Sequence, residues 1–592
     1  MPATTRQLLA FLAALTVISP VHAQTSLWLT QPDMLVDYVR TNADFWLQTY
    51  DADRGGFYTN VGRDGSILSN RGTNKDVLTQ SRNAYAMVRA FQMTGDERYL
   101  DYARGALDFM YDHGWDATYG GWRNNISALG IPYNISQDKS AFIQHYALLG
   151  PAAMVEATGS SIDQEWFTRG YTYLDDVFWD RRPGMSGYYD RVDWRSENPR
   201  GKSFNATVDA LTTHAFIVND EARTTALLRN ILERLIPTMP DQAIGFAEEY
   251  DADWNVDASE RLSIMGHVLK TAWVMARAEQ LYDNSNFKLP SPLSDSLRSA
   301  ATELGLHVLE NGYDHEYGGP YKDYDRITGE MQLWGLADTT KAWWQMEQAI
   351  TAGLTLMTPA LSDPFLDMAS ESIDFFMDHF QDPVYGEVYA DRTRRGGDIP
   401  QWGDHKGDGF KAGYHSIELG FYSWVYANVF LNGGPFTMYY RFAPSDAERT
   451  VRLNPMENTT RLRPIVRTVL LEGQPYDDRL WSWNTLTLPP GVGGRFEVTY
   501  SAGVITSTEP AEAPASTALS AWPNPFSDYL HIGWNEGPMN IVLSDAMGRV
   551  VIQGSSQSGI EQLDTSTLAP GLYILTVTSR SGSNSRTVVR TR

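Results

Sequence analysis

The chain has 592 residues, too many for one domain, and 42% of them are hydrophobic, so two or three domains with sizeable cores are expected. A formal charge of −24 excludes nucleic acid and anionic lipid as partners, since both need clustered Lys and Arg. The complete lack of cysteine excludes disulfides and thiolate metal sites.

In chain order, the first feature is a signal peptide over residues 1–23. Arg6 supplies its charge, Leu8 to Ile18 its apolar run, and Val21-His22-Ala23 its cleavage site after Pro20. That run is too short to span a bilayer, and no later stretch is long enough. Residues 24–431 carry an internal repeat. Asp-x-x-x-Gly turns start at Asp51, Asp116, Asp180, Asp241, Asp314 and Asp382, and subtracting positions gives spacings of 65, 64, 61, 73 and 68. Such a period fits two helices plus a turn and a short hairpin. Between the turns, Tyr99, Leu100, Ala103, Ala106, Leu107, Met110 and Tyr111 trace one buried helix face. Thr94-Gly95-Asp96 and Thr158-Gly159-Ser160 punctuate the chain as a helix stop followed by an N-cap. Six helix pairs closing on themselves make a mainly α, (α/α)6 barrel, with Tyr119, Trp122, Tyr317 and Tyr385 on one rim. The turns themselves read as hairpin geometry, with Asp capping and Gly at positive φ.

From residue 432 to 505 the alternation in Phe436–Phe442, Thr450–Leu453 and Arg495–Tyr500 predicts a small β region, either a sugar-binding accessory or a lid. Residues 506–520, rich in Thr, Ala, Pro and Glu, predict a linker. Residues 521–592 form a last β module with helical content near nil. The 18 Trp and 31 Tyr suit the apolar faces of sugar rings, although most are expected in cores.

Two stretches resemble known families. Trp522-Pro-Asn-Pro-Phe526, Asp545-Ala-Met-Gly-Arg549 and Leu568-Ala-Pro-Gly-Leu-Tyr573 resemble the C-terminal sorting domain of the type IX secretion system. The resemblance implies a β-sandwich read by the export machinery, and release or attachment at the cell surface. Residues 27–431 resemble the N-acylglucosamine 2-epimerase family, which includes cellobiose 2-epimerases and aldose–ketose isomerases. The matching motifs are Gln80-Ser-Arg82, the Lys139–Tyr146 helix, Gly266-His267, Lys341-Ala-Trp-Trp-Gln-Met-Glu347 (with Gln345 and Glu347 one place early), and Tyr414-His415.

That resemblance implies a mono- or oligosaccharide substrate and chemistry at carbon 2 of an opened sugar. The proton next to the aldehyde is removed, a cis-enediolate forms, and a proton returns from the other face. Two groups that titrate near neutrality must flank the carbon, and histidine is the natural choice. A fixed cation should hold the developing oxyanion. The resemblance assigns His267 and His415 to the acid–base positions and Arg82 to the cation. It assigns substrate contacts to Trp343, Trp344, Asp209, Lys139, Tyr146, Glu347 and Tyr414. No metal or redox cofactor is required by this chemistry.

Two positions depart from the family pattern. Asp209 stands where a histidine is expected, with His214 turned away from its face, and Lys270 stands where a glutamate is expected. These departures keep two alternatives open: an (α/α)6 glycoside hydrolase or lyase using Asp209, Asp404 or Asp408, and a non-catalytic glycan-binding surface protein.

Overall fold

Two kinds of helix alternate along residues 34–432. In this computed structural model the described residues are 25–216, 221–239, 245–282, 291–333, 336–337, 339–358, 363–453, 463–503, 520–522, 529–533, 539–545, 549–556, 560–569, 571–579 and 582–590. The expected signal peptide, nearly all of the linker, residues 241–244 of the fourth turn and parts of the three sorting-domain motifs lie outside them.

The outer helices are α1 (Met34–Leu47), α3 (Arg98–Gly114), α6 (Ser161–Tyr173), α7 (Glu221–Asn230), α9 (Ser291–Asn311) and α11 (Pro364–His379). The inner ones are α2 (Val77–Thr94), α4 and α5 (Ala141–Tyr146, Leu149–Thr158), a stretch of two π turns (Asn205–Asp209, Leu211–Ala215), α8 (Met265–Tyr282), α10 (Trp343–Leu356) and α12 (Tyr414–Tyr426). Helix α3 buries the stripe Tyr99, Ala103, Ala106, Leu107, Met110 and Tyr111, the pattern of a helix with one face in water. Every residue of α2 from Val77 to Met93 is buried, as for a helix enclosed on all sides. The last inner helix, α12, packs against α1 and α2, which closes the ring. Gly95 and Gly159 take the left-handed conformation that ends α2 and α5, where a side chain would be strained.

Each described turn is more than a hairpin. Asp51 Oδ1 accepts from the N–H groups of Asp53 and Arg54, and its other oxygen accepts from Lys75 Nζ at 2.7 Å. The same ammonium reaches Gly55 O at 2.7 Å. Lys139 repeats this on Asp116 (3.0 Å) and Gly120 O (2.6 Å), and Lys202 on Asp180 (3.0 Å). Lys341 clamps Asp314 (3.1 Å) and Lys406 clamps Asp382 (3.4 Å). All five lysines are buried. A buried pair adds little net stability over an apolar one, but losing one partner costs about 3–5 kcal/mol. The turns are therefore locked to the strand-like entries of the inner helices.

The β region packs on the ring rather than standing apart. Phe436–Phe442 pairs antiparallel with Gly494–Gly503, from Phe436↔Tyr500 to Phe442↔Gly494. Its alternate residues Phe436, Met438, Tyr440 and Phe442 are buried. Tyr439 lies against Gly95, and Phe442 and Arg449 lie against Gly159, so this sheet meets the C-terminal ends of α2 and α5. The last module stands as its own unit, with strands 520–522, 529–533 and 560–564 in one sheet and 539–545, 550–556, 571–579 and 582–590 in another. Leu530, Ile532, Ile541, Leu543, Leu575 and Val577 form its core, and no helix occurs among its described residues.

Candidate active site

The inner helices all begin at the end of the ring opposite the sheet, and their first two turns line a cleft of about 330 Å³. Arg82, Tyr146, Lys270 and Gln348 are each the sixth residue of their helix, so the repeat brings the same helical register to the centre four times. His267 is third in α8, His415 second in α12, and Trp343 and Trp344 open α10. Asn205 and Asp209 come from the first π turn, and Phe142, Ile264 and Phe410 complete the wall. Helix N-termini carry partial positive charge, so the cleft favours developing negative charge.

The two histidines are held alike. His267 Nδ1 bonds Glu248 Oε2 at 2.7 Å, and His415 Nδ1 bonds Glu347 Oε2 at 2.5 Å. In both, Nε2 is the nitrogen left for the cleft. His267 stacks on Phe204 with ring centroids 3.7 Å apart, and Trp344 sits between the histidines, 5.1 Å and 6.2 Å from them. Burial, then the positive charges of Arg82, Lys270 and Lys411, hold the His415 imidazole well below its ordinary pKa. The Gly before each histidine marks a close approach. A Cβ on Gly266 would lie 2.6 Å from Gln345 and Trp344, and one on Gly413 would lie 2.8 Å from Trp46.

Arg82 is buried, and its guanidinium lies 4.2 Å from the centre of the Tyr146 ring and donates to Phe410 O at 2.5 Å. Among the described residues it makes no ion pair. The two departures from the family pattern meet each other. Lys270 Nζ lies 2.5 Å from Asp209 Oδ1, and both touch Tyr146 OH at 3.3 Å. Asn205 donates to the other Asp209 oxygen at 2.8 Å. Burial opposes the charge on Lys270, but Asp209 outweighs it and raises the lysine above its ordinary value.

Three expected contacts are not among the cleft-lining residues. Lys139 is spent on the Asp116–Gly120 turn and on Ser196, because its repeat position is that of the rim clamp. Glu347 stands behind His415, and Tyr414 lies beneath His415, edge-on to Tyr85 and Tyr146. His214 bonds buried His145 at 2.9 Å. Asp404 is exposed beside Arg63, and Asp408 is tied to His405 at 3.0 Å. Asp209 is thus the one carboxylate lining the cleft among the described residues, so the two facing acids of a glycosidase are not assembled there. The β region meets the opposite ends of the helices, so it is no lid over this cleft.

Sequence reasoning missed Glu248, Phe410, Gln348 and Glu418. Gln348 was available from the shared sixth-residue register. Glu248 is set by a two-residue pairing, Lys202-Ser203 with Glu249-Tyr250, too short to read from alternation. Glu347, His415 and Glu418 offer ligand atoms within 4.8 Å of one another. Their atoms are engaged in hydrogen bonds with one another, Gln348 and Tyr85.

Comparison with known proteins fits this geometry. Residues 56–409, more than half of the chain, match the sequence family described as N-acylglucosamine 2-epimerase, and residues 520–590 match the secretion system C-terminal sorting domain. The cellobiose 2-epimerase of Bacteroides fragilis is 21% identical over 390 residues, which cover 63% of this chain and 93% of that protein. The N-acylglucosamine 2-epimerase of Mus musculus is 21% identical over 381 residues, covering 60% and 82%. The solved cellobiose 2-epimerase of Spirochaeta thermophila aligns with a TM-score of 0.56 at 21% identity, covering 67% of this chain and 97% of its own. A D-mannose isomerase aligns with a TM-score of 0.57 at 16% identity, covering 66% and 98%. The ring is therefore an (α/α)6 barrel, and the sorting domain marks the chain for type IX export, to be released or held at the cell surface. The chain belongs to the N-acylglucosamine 2-epimerase family of sugar isomerases.

Proposed function

We propose that this exported protein moves the proton on carbon 2 of a ring-opened aldose, or of the reducing end of a short oligosaccharide, through a cis-enediolate. The observation that carries the reading is the pairing of His267 and His415. Each sits at the start of a different inner helix with Nδ1 tied to a glutamate and Nε2 left for substrate. One takes the proton from carbon 2 and the other returns one from the opposite face. Arg82, buried and without a carboxylate partner among the described residues, neutralises the oxygen that gains charge as the enediolate forms. Helix N-termini around the cleft act in the same direction. Trp343, Trp344, Phe142 and Phe410 suit the apolar faces of a sugar, and Asp209, Asn205 and Lys270 its hydroxyls.

The Asp209–Lys270 pair removes the main reason to read the protein as a non-catalytic binder. The two changes compensate each other electrostatically and leave the histidines and Arg82 in place. The test is product analysis after incubation with glucose, mannose, N-acetylglucosamine, N-acetylmannosamine, cellobiose and mannobiose. A C2 epimer or a ketose is the expected product, lost in both His267→Gln and His415→Gln. Unchanged sugars throughout would overturn the proposal for this panel.

A further inference from the structure

Many buried carboxylates of the ring are answered by a cation. Asp51, Asp116, Asp180, Asp314 and Asp382 each face a buried lysine, and Glu387 faces Lys411 at 2.8 Å. Glu347 and Glu418 are equally buried, yet among the described residues neither pairs with a lysine or arginine. An oxygen from each lies within 4.8 Å of the other and of a His415 ring nitrogen. Glu347 Oε2 bonds His415 Nδ1 at 2.5 Å and accepts from Gln348 Nε2 at 2.9 Å, while Glu418 Oε1 accepts from Tyr85 OH at 2.8 Å.

The titratable groups facing Glu347 or Glu418 are Arg82 and Tyr85 from α2, Lys270 from α8, Tyr38 from α1, and Tyr414 and His415 from α12. Burial first, and the Glu418 charge second, raise the Glu347 carboxyl well above the usual range against the pull of Lys270 and Arg82. In the resting site, two carboxylates this close without a cation between them do not both stay ionised. His267 differs, because among the described residues its partner Glu248 belongs to no such carboxylate cluster.

We infer that Glu347 and Glu418 hold one proton between them, and that this proton sets His415 as the resting acid and His267 as the resting base. A protonated Glu347 donates to His415 Nδ1, so the hydrogen of the neutral imidazole sits on Nε2, facing substrate. Glu248 accepts from His267 Nδ1, which leaves His267 Nε2 as a lone-pair base. This rests on the acid–base reading above. During turnover the carbon 2 proton moves to His267 Nε2, and the His415 Nε2 proton moves to the opposite face of that carbon. The shared carboxyl proton moves to His415 Nδ1. His267 ends as an imidazolium and the glutamate pair doubly ionised, so total charge is unchanged. Solvent then returns the protons to their starting places. Glu418 is a positioning residue in this scheme, because it touches no substrate.

The test is nitrogen-15 NMR of the full chain labelled in histidine, with His415 assigned through His415→Gln. Near pH 7.5, His415 should be the Nε2–H tautomer in the unaltered protein and the Nδ1–H tautomer in Glu418→Gln, where Glu347 is free to ionise. His267 should be Nδ1–H in both. Tyr85→Phe removes a donor that favours ionised Glu418 and should leave His415 as Nε2–H. Turnover of Glu418→Gln should fall about 10- to 100-fold in kcat with KM within twofold, because an acid is lost and no sugar contact is. A His415 that is Nδ1–H in the unaltered protein, or unchanged in Glu418→Gln, overturns the inference. The expected tautomers together with no turnover of any sugar would leave the shared proton standing and overturn the proposed function instead.

Discussion

The rim turns and the cleft solve the same electrostatic problem in different ways. At the rim each buried aspartate is answered by a lysine 22 to 27 residues later in the same repeat, as Asp51 by Lys75 and Asp314 by Lys341. In the cleft the partners come from different repeats, Asp209 with Lys270 and His415 with Glu347, while Arg82 pairs with no carboxylate among the described residues. The rim charges are cancelled locally and hold shape. Those of the cleft are cancelled across the ring or left open, which is what a site that must meet a transient negative charge requires.

The largest contrast should come from truncating one member of each set. His267→Ala and His415→Ala should each lower kcat by about 10²- to 10⁴-fold while leaving the urea midpoint nearly unchanged. Lys75→Met should do the reverse. It leaves Asp51 without an ion-pair partner among the described residues, costs about 3–5 kcal/mol in urea titrations, and leaves kcat of the folded fraction within a few-fold.

The Asp209–Lys270 pair lies between the two cases and sharpens them. Lys270→Met should lower both stability, by about 3–5 kcal/mol, and activity. The reversed pair Asp209→Lys with Lys270→Asp should recover more than half of the stability lost in either single variant. Additive losses would show that the two residues are not partners.

How much of this was legible in the sequence follows the same division. The turn aspartates and their glycines, the caps at Gly95 and Gly159, and the α3 stripe are short-range signals, and they gave the six-pair ring. The lysine clamps were also within reach, since each lies at a near-constant distance from its aspartate, but the family resemblance assigns one of them, Lys139, to a sugar contact rather than to its turn. The cleft was legible where family motifs fall, since His267, His415, Arg82, Tyr146, Trp343, Trp344 and Asp209 all line it. Glu248 and Glu418 were not, because nothing local distinguishes them from surface acids. Glu248 owes its place to a two-residue strand pairing that sets it against a histidine 19 residues on, and Glu418 to ring closure, which brings it to Tyr85, 333 residues away.

A smaller effect separates the two regions by pH. His145 and His415 are buried and held below the ordinary value of about 6.5, His145 to about 3, with burial as the leading cause. Below pH 6.5 the unfolded chain binds protons that the folded chain refuses. Stability from these groups is therefore full above that pH and falls as pH falls, by about 1.4 kcal/mol per unit for each. For Asp180 and Asp382 burial is outweighed by hydrogen bonds from Arg182 and Lys202, and from Arg63 with the charge of Lys406, and both carboxyls are lowered. Their contribution is lost only below about pH 4. Urea midpoints measured from pH 8 to 3 should decline in two phases, the first reduced in His145→Phe.

The central claim is that His267 and His415 handle the carbon 2 proton of a reducing sugar. Proton NMR in heavy water tests it most directly, following the carbon 2 signal of each sugar with the unaltered protein and with His267→Ala and His415→Ala. Loss of that signal with the unaltered protein, and its persistence with both variants, is the predicted result. Exchange that survives in both variants would contradict the assignment of the histidines, and no exchange with any sugar would contradict enediolate chemistry on these substrates.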